Sequence, residues 1–388
     1  MPESPRRARL PFRLSFRAAS CALALGASLS LAACASGGGS TTPTGTGTPA
    51  RTGPTPNTEQ LPSQQWPVKT REHVDLWLHG YAMLQADTAR VPLFRRGYQE
   101  RMRSLRRSQA STRLDANTER LRARLATNPE LVNGQFVPLY FGSWDELRRA
   151  VDIFFQAQGN PNASGDPNVR TAIAIIAGAF PSGADREWLR TFVESLDDER
   201  QRFYHEWWLA QQRQRADAVT AVDSLWQRVY RDKFRRFLQN TQQAGGEILL
   251  SLTLDGEGRT VTLGEQRNAV AVGEPEAEAQ AVEAIYVLAH EVVNAVTSVA
   301  LNDNTTPAEQ RSGAVSSYAA NVTVRGGAML LQRIAPELVD GYLRYYLRAG
   351  GQSVPAGSLE TAFAAAYPIP DTIRSAIMRQ LEVVLGGI

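Results

Sequence analysis

The chain has 388 residues, with 42 Lys or Arg, 39 Asp or Glu and a formal net charge of +3 at pH 7. Five of the arginines and one glutamate lie in the first 33 residues, which leaves 37 basic and 38 acidic residues beyond them. This balance lacks the basic excess that nucleic-acid-binding proteins use, so we predict no nucleic-acid partner. The two cysteines are Cys21 and Cys34, so beyond residue 34 the sequence offers none for a disulfide or a thiolate metal site.

The N-terminus has the composition of an export signal. Residues 1–33 begin with arginines and continue into small and apolar residues from about Ala18 to Ala33, which predicts a signal peptide that is absent from the mature protein. A transmembrane helix is one alternative, but a span needs about 20 apolar residues, more than this run supplies. A plain secretory signal cleaved near Ala33 is the other alternative.

The end of this run, Leu31-Ala32-Ala33-Cys34, resembles the lipobox of bacterial lipoproteins. The resemblance implies that Cys34 is acylated, becomes the new N-terminus and anchors the protein in a membrane. It also implies an outer-membrane location, because the following residue is Ala35 rather than the aspartate that favours inner-membrane retention. We expect the protein to face the periplasm.

Residues 34–66 are dominated by Gly, Ser, Thr and Pro, a composition that cannot bury enough apolar surface to fold. We interpret them as a disordered tether. A flexible chain of this length would hold the folded part on the order of 30 Å from the membrane.

Residues 67–245 show helical periodicity and are predicted to form a helical region. The predicted helices cover Glu72 to Gln85, Phe94 to Gln109, Thr118 to Ala126, a helix after Ser143, Val169 to Ala179, and two long helices between Glu187 and Thr241. Ten arginines lie between Arg95 and Arg124. We interpret this run as a solvated helix face, and the alternative is a surface that attracts lipid phosphates.

Residues 246–388 begin with strand patterns. Glu247 to Leu254 and Arg259 to Leu263 flank the turn sequence Asp-Gly-Glu-Gly and predict a β-hairpin, with a third strand at Asn268 to Val272. A helix is expected to begin at Glu274-Pro275-Glu276. The predicted fold class is therefore mainly α with a small antiparallel β-sheet, an α+β protein.

The apolar helix predicted from Ala281 to Leu301 contains the sequence His290-Glu291-Val292-Val293-Asn294. Residues four apart share a helix face, so His290 and Asn294 are expected to lie together, about 100° from Glu291. Because burial of unpartnered polar groups costs on the order of 1–3 kcal/mol each, we expect all three to have partners.

This motif and its context resemble the zincin metallopeptidases, in particular the gluzincins, whose helix reads His-Glu-x-x-His and whose third zinc ligand is a glutamate on a later helix. The resemblance covers roughly Gly246 to Ile388. It implies that His290 is a zinc ligand, that Glu291 is the general base, and that Asn294 stands at the second ligand position. From Gln310 to Pro336 there is no acidic residue, and Glu309 lies just before this segment.

Three hypotheses follow. The first is a zincin-like, catalytically degenerate binding or scaffold module with no cofactor and an unknown protein or peptide partner. The second is an active zinc peptidase that uses His290 and Glu291 and completes its site with Glu309 or His205. In the third, the His-Glu pair lies by coincidence on a core helix of an unrelated lipoprotein.

Overall fold

A computed structural model describes residues 65–85, 91–107, 111–313, 315–354 and 357–386 of the chain. Cys34, the predicted signal peptide and nearly all of the predicted tether lie outside these ranges. The α-helices are α1 Glu72–Leu84, α2 Tyr98–Arg106, α3 Arg113–Thr127, α4 Trp144–Gln156, α5 Pro167–Ala179, α6 Gly183–Glu199, α7 His205–Gln214, α8 Ala216–Leu225, α9 Arg231–Asn240, α10 Ala281–Val292, α11 Asn294–Asp303, α12 Pro307–Ser312, α13 Ala319–Ile334, α14 Val339–Ala349, α15 Leu359–Ala366 and α16 Asp371–Leu385.

Four strands form one sheet in the order β1-β2-β4-β3: β1 Val68–Thr70, β2 Gly246–Ser251, β3 Arg259–Thr262 and β4 Asn268–Gly273. The first three strands in this order are parallel to one another, with Ile248 of β2 opposite both Val68 and Val270. Only β3 is antiparallel, and it pairs with β4. The carboxyl ends of β1, β2 and β4 therefore meet at one edge of the sheet.

The predicted fold class is confirmed as mainly helical with a small sheet, but two details of the sheet were wrong. The sheet is mixed rather than antiparallel, and β2 does not form a hairpin with β3, because β4 lies between them. A parallel neighbour can be far away in sequence, so local turn signals favoured the wrong partner.

The sheet separates two hydrophobic cores. Alternate residues of a strand face opposite sides, so Ile248 and Leu250 pack with α8 to α11 and α13 to α16, whereas Leu249 packs with α1 to α6. Both cores draw residues from either side of residue 245, and Gln65–Ile388 belongs to one compact unit. The predicted boundary at 245/246 therefore does not separate the two cores.

Helix α10 is the central helix of its core, as its apolar composition predicts. Its residues from Ala284 to Val292 are buried, and it packs on β4 and α13. It begins later than expected, because Glu274 and Pro275 are buried in the connection from β4.

Among the described residues, the helical stretch Glu278–Asp303 is long and apolar enough to cross a membrane, but 72% of its most apolar window is buried inside the protein.

The two long helices expected between Glu187 and Thr241 are present. One continues from α6 into α7 and the other from α8 into α9, each through a π-helical turn, at Arg200–Tyr204 and Trp226–Tyr230.

The N-terminal boundary of the folded unit lies earlier than predicted. Trp66 is 2% exposed and its carbonyl accepts a hydrogen bond from Trp226 at 3.0 Å. Trp66, which we had assigned to the tether, therefore belongs to the folded unit.

Candidate functional site

The predicted site residues His290 and Glu291 lie in the last turn of α10, beside the turn at residues 255–258 that connects β2 to β3. Gly258 lets this turn approach both α10 and β4 closely. A Cβ atom on Gly258 would come within 2.0 Å of the Ala271 carbonyl oxygen and 3.2 Å of Cγ of Glu291. Only glycine fits at this position.

The carboxylate of Glu291 holds this turn. Its Oε1 atom accepts the backbone N–H of Gly258 at 2.9 Å and Nδ1 of His290 at 3.0 Å. Glu291 and His290 are 8% and 5% exposed, so both hydrogen bonds are shielded from water. Charge-assisted hydrogen bonds of this kind are stronger than neutral ones. The bond from Gly258 ties the end of α10 to the start of β3, and the bond from His290 fixes the carboxylate in place.

Tyr346 of α14 also contacts this turn. The ring of His290 stacks on Tyr346, with ring centroids 5.5 Å apart, and the Tyr346 hydroxyl donates to the Gly256 carbonyl at 3.0 Å. Glu291 thus holds the turn at Gly258, and Tyr346 holds it at Gly256. Nε2 of His290 is buried and has no hydrogen-bond partner among the described residues.

The pKa values of Glu257 and Glu291 are shifted in opposite directions. Burial, together with the nearby Glu291, raises the pKa of Glu257 to about 7, although His290 and Arg259 oppose the shift. Burial also acts to raise the pKa of Glu291, but the hydrogen bond from His290, the charge of Arg259 and the Gly258 N–H outweigh it, so this pKa lies below its ordinary value. Glu291 is therefore held as a carboxylate.

The other expected ligands do not join this cluster. Asn294 is exposed, so the expectation that it is a buried, partnered residue beside His290 was wrong. Helix α10 ends at Val292 and α11 begins at Asn294, with a one-residue break at Val293. Glu309 is exposed and caps α12, where its Oε2 accepts the Thr306 N–H at 2.7 Å. His205 pairs instead with Glu72, 3.0 Å away.

Two histidines of α1, His73 and His79, are buried. His73 is 4% exposed and contacts the Phe141 carbonyl at 2.9 Å. His79 is fully buried between Tyr98, 3.1 Å away, and Glu199, 3.2 Å away. Both belong to the core that contains α1.

The downstream apolar helix is α13, and it packs against α10 and α11. The contact is close at Gly326, where a Cβ atom would lie 2.3 Å from Cγ2 of Thr297. Within the described ranges, no three His, Cys, Asp or Glu side chains come together in a way that could hold a metal ion. The site therefore brings together His290, Glu291 and Glu257 without a ligand from α13.

No protein-family model, no curated protein and no solved structure matches this chain. The resemblance to gluzincins thus rests on the motif and on the order of the elements alone.

Gly258, Glu257 and Tyr346 were missed by the sequence analysis as parts of the site. The sequence Asp-Gly-Glu-Gly had been interpreted only as turn chemistry. Two glycines that flank an acid are the signal that could have indicated a close approach of this turn to another element, although its contact with Glu291 spans 33 residues. Tyr346 offered no such signal, because its contact spans 90 residues.

Proposed function

We propose that this chain is a membrane-tethered lipoprotein that acts as a binding or scaffold module, with a zincin-like but catalytically degenerate C-terminal part. In this proposal Cys34 bears the lipid anchor, the outer membrane is the location, and the folded unit faces the periplasm. The protein needs no cofactor for this function. Its partner is another protein, a peptide or a smaller ligand.

One observation carries the non-catalytic assignment: Oε1 of Glu291 is occupied by two buried donors, Gly258 N–H and His290 Nδ1. A general base works best when its pKa lies near the operating pH and its oxygen can reach the proton it removes. The lowered pKa of Glu291 works against the first requirement. Structural use of this carboxylate explains why it is kept although Asn294 replaces the second histidine.

The zincin-like ancestry is supported by the His-Glu motif and by the order of the elements. Strand β4 leads to α10 with its His-Glu pair, and the apolar helix α13 follows and packs on α10. This is the order that the resemblance requires. The departures are the exposed Asn294 and the lack of acids from Gln310 to Pro336.

The second candidate function is an atypical zinc peptidase. It is favoured by the unpartnered Nε2 of His290, the atom that a metal would need, and by the raised pKa of Glu257, which suits acid and base catalysis near neutral pH. Glu257 would then take the place that we had assigned to Glu309.

Metal content and peptide cleavage separate the two functions. We expect the chain from Ala35 onward, purified without chelator, to contain well under one zinc per chain and to leave a peptide library uncut. The control is Glu291→Gln, which should match the parent chain in both assays. Stoichiometric zinc, or cleavage that Glu291→Gln abolishes, would overturn the proposed function and establish the peptidase.

A further inference from the structure

A second polar site lies at the edge of the sheet where the parallel strands end. It is a pocket with a volume of about 240 Å³, lined by the segments that follow β2 and β4, by the start of α2, and by α7 and its end. Open parallel sheets bind ligands outside the carboxyl ends of their strands. The position of this pocket therefore matches a general rule for ligand sites.

The lining of this pocket is positively charged. It contains four arginines and two acids, a net charge of +2: Arg95, Arg96, Arg101, Arg215, Asp255 and Glu276. The pocket also contains Gly97 and Tyr98, the N-cap and first residue of α2. The positive end of a helix dipole adds to the attraction for an anion.

Three of these arginines share a single carboxylate oxygen. Oε1 of Glu276 lies 3.5 Å from Arg95, 3.4 Å from Arg101 and 3.5 Å from Arg215. Well-formed hydrogen bonds between guanidinium and carboxylate groups are about 2.7–2.9 Å long, so each of these contacts is weak. One oxygen cannot satisfy three guanidinium groups at once.

Some guanidinium donors of these arginines lack a strong partner among the described residues. Nε of Arg95 is buried and lacks a hydrogen-bond partner among the described residues. Arg215 is 6% exposed, and its other contacts are the carbonyl groups of Glu274 and Pro275, at 3.4 and 3.3 Å, and the Glu274 carboxylate, at 4.0 Å. By contrast, the Glu276 side chain is 52% exposed and can move into solvent.

The remaining wall is apolar and aromatic. Met102 and Leu252 are buried, Tyr98 is nearly so, and the half-buried ring of Trp207 closes the pocket beside them. Pockets that combine an apolar wall with a few polar anchors bind small molecules, although drug-sized ligands need about 300–1,000 Å³. The volume here matches a small ligand or a headgroup, and not a whole lipid.

We propose that this pocket binds a phosphate monoester, whose oxygens take the place of the Glu276 carboxylate among Arg95, Arg101 and Arg215. Guanidinium groups match phosphate oxygens in geometry and can bind them in pairs. Once Glu276 has left, the four arginines and Asp255 give the lining a net charge of +3, of which a phosphate monoester at pH 7 neutralises about 1.5 to 2. Glu276 acts as an internal counterion that the ligand displaces. This inference gives the proposed binding module a ligand class and rests on that function.

The test is titration calorimetry of the chain from Ala35 onward, which contains the whole compact unit, with inorganic phosphate and with glycerol 3-phosphate. We expect saturable binding, weakened about tenfold or more in Arg101→Gln and strengthened about tenfold in Glu276→Gln, because the latter lacks the competing anion. Arg103→Gln, an exposed arginine of the same helix outside the pocket, is the matched control and should bind as the parent does.

Two kinds of phosphate source are distinguished by vesicles that contain phosphatidic acid. Vesicle binding that inorganic phosphate displaces and Arg101→Gln abolishes supports a lipid headgroup as the ligand. Binding of the soluble phosphates alone supports a free ligand. The proposal is overturned if neither the parent chain nor Glu276→Gln binds phosphate, if Arg101→Gln and Arg103→Gln bind alike, or if acetate binds as well as phosphate does. None of these results depends on zinc or cleavage, so this inference can fail while the proposed function stands.

Discussion

The two polar sites of this protein use a glutamate in opposite ways. Oε1 of Glu291 accepts two donors at 2.9 and 3.0 Å inside the core, whereas Oε1 of Glu276 is shared by three guanidinium groups at 3.4–3.5 Å at the surface. Short, buried hydrogen bonds hold structure, because breaking them leaves polar groups unsatisfied. Long, exposed contacts contribute little and are easily replaced.

This difference separates polar residues that serve the structure from polar residues that are available to a ligand. The His-Glu pair attracts notice in the sequence, yet its contacts lie within the protein and hold a turn. Arg95 and Arg101 belong to the arginine run that the sequence analysis interprets as a solvated helix face, yet together with Arg215 they line a cavity at the carboxyl ends of parallel strands.

The largest expected effect is at the turn that Glu291 holds. Gly258→Ala should lower the free energy of unfolding by about 3 kcal/mol, since the added Cβ meets the Ala271 carbonyl at 2.0 Å and must displace backbone. Chemical denaturation measures this loss. Gly178→Ala is the control: it lies in α5 with no atom within 4 Å of its Cβ, and it should be neutral or stabilising by up to about 1 kcal/mol. Equal effects of the two substitutions would contradict the tight packing at Gly258.

A smaller effect is expected from the pH dependence of the same cluster. The pKa of Glu257 is raised from 4.5 to about 7 in the folded protein, so its contribution to stability is complete below pH 4.5 and is lost as the pH rises through 7. Glu257→Gln should remove this loss. The free energy of unfolding of Glu257→Gln, relative to that of the parent, should rise by about 2 kcal/mol between pH 5 and pH 8. This is less than the full pKa shift would give, because the Glu257 side chain is half-buried and partly screened by solvent.

Denaturant midpoints of both proteins across this pH range supply the measurement. Asp75, whose pKa burial and Glu274 raise to about 7, contributes with the same sign in parent and variant and cancels in the difference. Glu360 is exposed, so the denaturant midpoint of Glu360→Gln should match that of the parent at every pH. A difference between Glu257→Gln and the parent that stays constant from pH 5 to pH 8 would show that Glu257 is not perturbed.

Much of the fold followed from local patterns. The capping residue Ser143 begins α4, and its hydroxyl accepts the Glu146 N–H at 3.2 Å. The apolar sequence around Ile285 made α10 a core helix. The partner of β2 was missed because β1 and β4 are joined to it by long connections, and such pairings leave no local signal.

The site was less predictable than the fold. Helical spacing suggested that His290 and Asn294 act together, but it could not show that α10 ends before Asn294 and that Asn294 is exposed whereas His290 is buried. The pocket arginines come from the loop before α2, from α2 itself and from the end of α7, far apart in sequence from Glu276. Their proximity results from the order of the strands, which the sequence analysis had wrong.

The central claim is that Glu291 holds structure and does not perform chemistry, and the stability of Glu291→Gln tests it most directly. Gln keeps an acceptor for Gly258 but loses the charge that strengthens the bond from His290, so we expect a loss of about 1 kcal/mol at pH 7. Glu276→Gln, the matched change at the exposed site, should alter stability by no more than a few tenths of a kcal/mol. Neutralising a catalytic carboxylate commonly leaves stability unchanged or increases it. Unchanged or increased stability of Glu291→Gln in denaturant unfolding would therefore contradict the account.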